Sequence, residues 1–211
     1  MAQIRGAIRT FLKTKDERGR AIGSSQYGVY AFYDYDEEPI YVGQTREKLS
    51  GRIGRHLTNR RTDAVAMNVL DPFEVAFIEV WPFFHLDAST APTVLAAAEY
   101  TVFQKVLRES ALGAVLNEKD IAPSDEVELP AAYRGRIIPD GIFASRSHPD
   151  VRIARRANTI ARLAQVISER EVSKGLRRTL LTQARRLERL AQQRLGEIEG
   201  PFPAQQPGEE A

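Results

Sequence analysis

The sequence predicts an α+β fold, in which an antiparallel hairpin and a third strand are flanked by helices and followed by a C-terminal helical hairpin. Three observations predict it. Residues 28–35 and 40–43 are rich in Val, Tyr and Phe and stand on either side of a polar turn at 36–39, so an antiparallel hairpin joins them most simply. A third strand-like run covers residues 73–81. Apolar residues at helical spacing mark helices before, between and after these strands, and the last two are long and adjacent.

In chain order, Ile4, Ile8, Phe11 and Leu12 predict a helix over residues 3–14. A polar loop follows, whose Lys13, Lys15, Arg18 and Arg20 suit either phosphate contact or simple solvation. Leu49, Ile53 and Leu57 fall at i, i+4 and i+8 and predict a helix over residues 48–58, with Arg52 and His56 together on a neighbouring face. Residues 59–63 form a basic loop containing Arg60 and Arg61. Ser89 or Thr90 suits a helix cap and Pro92 a first helical turn, for a helix running to about Ser110. Residues 119–150 carry several Pro and Gly and the acidic Asp125, Glu126 and Glu128, and read as an irregular connector. Ile153, Ile160, Leu163 and Ile167 stripe one further helix; Leu176, Leu180, Ala184, Leu187, Leu195 and Ile198 stripe another. The expected organisation is therefore a helix and basic loop over 1–25, a core over 26–118, the connector, a basic helical hairpin over 151–199 and a disordered tail over 200–211.

Composition narrows the function. The chain has 211 residues, 43% of them hydrophobic, enough for a real core. It has no cysteine, which excludes disulfides, zinc–thiolate sites and thiol catalysis. Its three histidines, His56, His85 and His148, are far apart, so a metal would be a hard, oxygen-bound ion. No apolar run reaches the length of a membrane span, and a cytoplasmic protein without a membrane partner is expected. The net charge is only +2, yet residues 151–200 hold twelve Lys/Arg against five Glu. That segment suits a polyanion, and equally a solvated helix face. The hairpin it forms is either a structural prop, a dimer contact or a DNA contact.

One carboxylate stands out. Glu99 shares an apolar helical stripe with Leu95, Val102 and Val106. Burying it unpaired would cost several kcal/mol, so a protein cation or a bound metal should compensate. Arg52 offers a planar fork that matches phosphate oxygens, while Tyr30, Tyr41 and His56 can pass protons. A carboxylate, an arginine, two phenols and an imidazole are the parts needed for metal-assisted phosphodiester hydrolysis.

Gly28-Val29-Tyr30 and Tyr41-Val42-Gly43 resemble the two half-motifs of the GIY-YIG nuclease superfamily, with valine for isoleucine in each. The resemblance continues through Arg52 and His56, Glu99 and a Leu-Asn ending in Asn117, and covers residues 26–118. It implies a three-stranded antiparallel sheet with helices, and DNA cleavage with one divalent ion per site, Mg²⁺ or Mn²⁺. It further implies that Glu99 holds the metal, that Arg52 stabilises charge on the phosphate, and that Tyr30, Tyr41 and His56 handle the proton of the attacking water. Asn117 would support the site by hydrogen bonding. Arg46, Lys48, Arg55, Arg60 and Arg61 are candidate nucleic-acid contacts. The chain departs from repair-type members at His56, where they have tyrosine, and at Gln44, where they often have lysine. The gap from His56 to Glu99 is also longer than in compact members, which points to an insertion around residues 58–70. The expected activity is a DNA endonuclease giving 5′-phosphate and 3′-hydroxyl ends, in restriction or defence. The alternatives are an inactive nucleic-acid-binding module, a structure-specific repair or recombination nuclease, and an adaptor dimerised through the last helices.

Overall fold

The computed structural model describes residues 2–57, 70–117 and 119–199, and shows four strands and six helices among them. The basic loop with Arg60 and Arg61, nearly all of the expected insertion, and the tail at 200–211 lie outside the described residues. No described helix is long and apolar enough to cross a membrane.

β1 (Gly28–Tyr33) runs through the middle of the sheet, antiparallel to β2 (Pro39–Thr45) on one side and to β3 (Phe77–Pro82) on the other. A fourth strand, β4 (Tyr133–Arg136), pairs antiparallel with β3, giving the order β2-β1-β3-β4. The three-stranded sheet expected from sequence is therefore corrected to four. β4 reads Tyr-Arg-Gly-Arg and has no apolar alternation to announce it. It lies at an edge, and a Cβ at Gly135 would fall 2.4 Å from the Phe11 ring, so glycine is what lets α1 (Ala2–Leu12) lie across it. The third strand also begins later than expected, because Pro72–Glu74 forms a 3-10 turn in which the Asp71 side chain accepts the Phe73 N–H.

Strand alternation divides the core into two layers. Tyr30, Phe32, Ile78 and Val80 point to the face covered by α1 and α2 (Leu49–Leu57), where Ile4, Ile8, Leu49, Ile53 and Leu57 are buried. Val29, Ala31, Tyr33, Val42 and Trp81 point to the opposite face, covered by Leu95, Ala98, Val102 and Val106 of α3 (Ala91–Glu109).

The stretch read as irregular contributes β4 and a short helix, α4 (Asp140–Ser147). The helical hairpin is present as α5 (Pro149–Glu169) and α6 (Lys174–Glu199). Its Leu163 and Leu176 join the buried cluster of the α1/α2 face. Four of its arginines meet carboxylates from the loops at the end of β1 and before β3. Asp34 accepts from Arg156 at 2.8 Å and Arg186 at 2.5 Å, and Asp36 accepts both Nη groups of Arg152. Glu74 accepts from Arg156 at 3.0 Å, and Asp71 from Arg155 at 2.5 Å. Arg178 pairs with Asp120, and Arg194 with Asp150. Half of the positive charge that made this segment look like a polyanion contact is thus used in ion pairs, most of them with the sheet's own loops.

Candidate active site

The two half-motifs meet across the β1–β2 ladder, where Tyr30 lies opposite Gly43 and Phe32 opposite Tyr41. Both motif glycines have a steric reason. A Cβ at Gly43 would sit 2.7 Å from the Tyr30 hydroxyl, so the tyrosine ring lies across its strand partner only because that partner has no side chain. A Cβ at Gly28 would sit 2.8 Å from the Leu49 side chain, so Gly28 admits the first turn of α2 onto β1. α2 in turn aims Arg52 and His56 at the hairpin.

These residues form one network. The Tyr30 hydroxyl and His56 Nδ1 are 3.2 Å apart in a hydrogen bond whose donor depends on the imidazole tautomer. Arg52 Nε donates to the Tyr30 hydroxyl at 3.2 Å. Tyr41 meets His56 edge-on with ring centres 4.7 Å apart and stacks 6.3 Å from Tyr30. Phe32 was not anticipated. It stacks on Tyr41 at 5.9 Å, and its position two residues after Tyr30 on the same strand face was the available signal. Tyr30 and His56 are buried, whereas Tyr41 and Arg52 are half-buried. Burial works against the Arg52 charge, but Tyr30, Tyr41 and Glu99 outweigh it and raise its pKa above the ordinary arginine value.

Glu99 arrives from the other layer. Val42 and Gln44 share the sheet face under α3, and β2 is an edge strand, so a side chain on α3 can come round to the α2 side there. Glu99 Oε2 accepts a hydrogen bond from Gln44 Nε2 at 2.9 Å and lies within electrostatic reach of Arg52. Among the described residues it forms no ion pair. Burial pushes its carboxyl above the ordinary range, and Gln44 and Arg52 only partly reverse that. The apolar stripe read from sequence is real, but its polar partner is a neutral amide rather than a cation. Gln44 is thus a site residue whose role the sequence left open.

Asn117 stands apart from the other five. Its side chain exchanges two hydrogen bonds with the Val42 backbone, accepting the N–H at 3.1 Å and donating to the carbonyl at 2.7 Å. It satisfies the open edge of β2 beside the motif. Of the expected nucleic-acid contacts, Arg46 and Lys48 are exposed and Arg55 pairs with Glu47. Among the described residues there is no cluster of three or more His, Cys, Asp or Glu able to hold a metal. A single half-buried carboxylate suits a hard cation that takes its remaining ligands from water and phosphate, as Mg²⁺ commonly does.

The GIY-YIG catalytic domain model matches residues 26–106, a span that includes Tyr30, Tyr41, Arg52, His56 and Glu99 and ends before Asn117. Comparison with curated proteins and with solved structures gives no match. A family match over the segment that builds this network identifies it: residues 26–106 belong to the GIY-YIG nuclease superfamily.

Proposed function

We propose that the chain is a metal-dependent DNA endonuclease acting in the cytoplasm, with Mg²⁺ or Mn²⁺ held by Glu99, and that it leaves 5′-phosphate and 3′-hydroxyl ends. The observation that carries this reading is the union of Arg52, Tyr30 and His56 in one hydrogen-bonded set, with Glu99 brought to the same strand edge through Gln44. The bound cation would neutralise charge on the phosphoryl oxygens. With Arg52 Nε directed to Tyr30, its Nη groups are left to meet a phosphate oxygen and stabilise the charge that develops there. Water attacks phosphorus, the P–O3′ bond breaks, and the 3′ oxygen takes a proton as it leaves.

The proton lost by the water enters the phenol–imidazole network. Tyr30 is fully buried, whereas Tyr41 is partly exposed and edge-on to His56. We therefore assign Tyr41 as the phenol that meets the water, with Tyr30 and His56 positioned behind it. Asn117 holds the Tyr-Val-Gly strand in place through Val42. Histidine at position 56 favours a restriction or defence enzyme over a repair nuclease. Cutting both strands together would take two copies of the chain, because the site handles one phosphodiester.

The test is incubation of supercoiled plasmid with Mg²⁺, with and without chelator, followed by end analysis. Chelator-sensitive nicks that a ligase reseals directly support the reading. Binding without metal-dependent cleavage would instead identify an inactive binding module.

A further inference from the structure

A second basic surface lies beside the site, on a helix outside the matched family segment. α1 and α2 enclose a groove of about 1060 Å³, whose lining includes Arg5, Arg9, Lys13, Lys48 and Arg55 and, among the described residues, no acidic one. Half of the described arginines, 11 of 22, are ion-paired, including Arg55 with Glu47. By contrast, Arg5, Arg9, Lys13 and Lys48 form no ion pair among the described residues.

The arrangement has a cost in the free protein. Arg5, Arg9 and Lys13 are spaced by four along and just beyond α1, so they are exposed on one face with like charges adjacent. Such i, i+4 like-charge pairs destabilise a helix. The helix dipole helps Arg9, in the last turn, but not Arg5. The buried side of α1 uses Ile4, Ile8 and Leu12, so packing does not require the cations.

The opposite wall is built for close approach. Ser50, Gly51 and Gly54 line it with almost no side chain. Glycine inside a helix is destabilising relative to alanine. A Cβ at Gly51 would come no nearer than 3.8 Å to Arg55, and one at Gly54 would meet no described atom within 4 Å, so packing does not demand either glycine. Lys48 joins the groove to the site. It lies one turn before Arg52, whose N–H bonds to the Lys48 carbonyl at 3.1 Å, and so stands on the side of α2 next to Arg52.

We propose that the α1–α2 groove is a track for the phosphate backbone of double-stranded DNA, in which Arg5, Arg9, Lys13 and Lys48 hold the duplex next to the phosphate that Arg52 meets. The inference rests on the nuclease reading but concerns binding, not chemistry. Small residues let the backbone enter, and the unpaired cations neutralise it.

The test is fluorescence anisotropy on a short DNA duplex without divalent metal, across a salt series. The triple variant Arg5→Ala, Arg9→Ala, Lys13→Ala is compared with wild type and with a matched control, Arg162→Ala, Arg185→Ala, Arg189→Ala, on α5 and α6. Loss of three phosphate contacts lowers the slope of log Kd against log salt by about 2.7. The wild-type advantage over the groove variant then shrinks about 40-fold between 50 and 200 mM salt. Thermal stability should hold or rise, since alanine removes like-charge contacts. An unchanged slope, an equal loss in the control, or no binding by wild type would each overturn the groove. Failure of the nuclease reading shows separately, as wild type that binds DNA with the full salt slope but gives no metal-dependent plasmid cleavage.

Discussion

Replacing Asp34 by Asn tests what attaches the helical hairpin to the sheet. Asp34 is 1% exposed. Its Oδ1 accepts the N–H groups of Asp36 and Glu38 at 2.9 and 3.1 Å. Its Oδ2 accepts from Arg156 and Arg186, with Arg152 at 3.3 Å. Arg186 is buried, and its other contact is the Pro39 carbonyl at 3.1 Å. Asparagine keeps the volume and one acceptor, but removes the charge that balances three guanidinium groups and can turn an NH₂ toward them. Breaking a buried pair from one side costs about 3–5 kcal/mol. For a chain of this size each kcal/mol moves Tm by roughly 2–4 °C, so a fall of about 6–20 °C is expected. Urea and thermal unfolding followed by circular dichroism measure it. A fall under about 2 °C would refute the cluster as the anchor of the hairpin.

Four further changes probe the site. Gly43→Ala places a methyl 2.7 Å from the Tyr30 hydroxyl; single-turnover cleavage should slow, by up to roughly 100-fold for a displacement near 1 Å, with DNA affinity unchanged. Because burial raises the Glu99 pKa and the ionised carboxylate is the metal-binding form, the acidic limb of kcat/KM should lie above the ordinary glutamate range. Gln44→Leu removes a hydrogen bond that favours the charged form and should move that limb to higher pH, whereas Gln44→Lys adds a cation and should move it lower. Asn117→Ala removes both bonds to Val42, costs about 1–3 kcal/mol, and should speed hydrogen exchange of the Val42 amide.

The parts of the fold governed by local spacing were legible in the sequence. Val, Tyr and Phe on either side of a polar turn marked β1 and β2, and the i, i+4 pattern of Leu49, Ile53 and Leu57 marked α2 with Arg52 and His56 beside each other. β4 was hidden because its outward residues are arginines that stack on rings elsewhere, Arg134 at 4.0 Å from the Tyr33 ring centre and Arg136 at 4.7 Å from that of Phe143. The charge excess of the last helices was ambiguous in the sequence for a related reason. Its complement sits up to 152 positions away, from Arg186 to Asp34, and no window along the chain contains both. Glu99 was readable as an anomaly, since a carboxylate interrupts an apolar stripe. That Gln44 would hold it was not, because the contact depends on an edge strand bringing two layers together.

The account stands most directly on single-turnover cleavage of DNA with Mg²⁺ by wild type, Glu99→Gln and Arg52→Ala. Loss of one group that stabilises transition-state charge commonly removes roughly 10²–10³ in rate. Each variant should therefore cut at least about 100-fold more slowly than wild type while keeping its fold. Cleavage by both variants at the wild-type rate would contradict the assignment of this network as the active site.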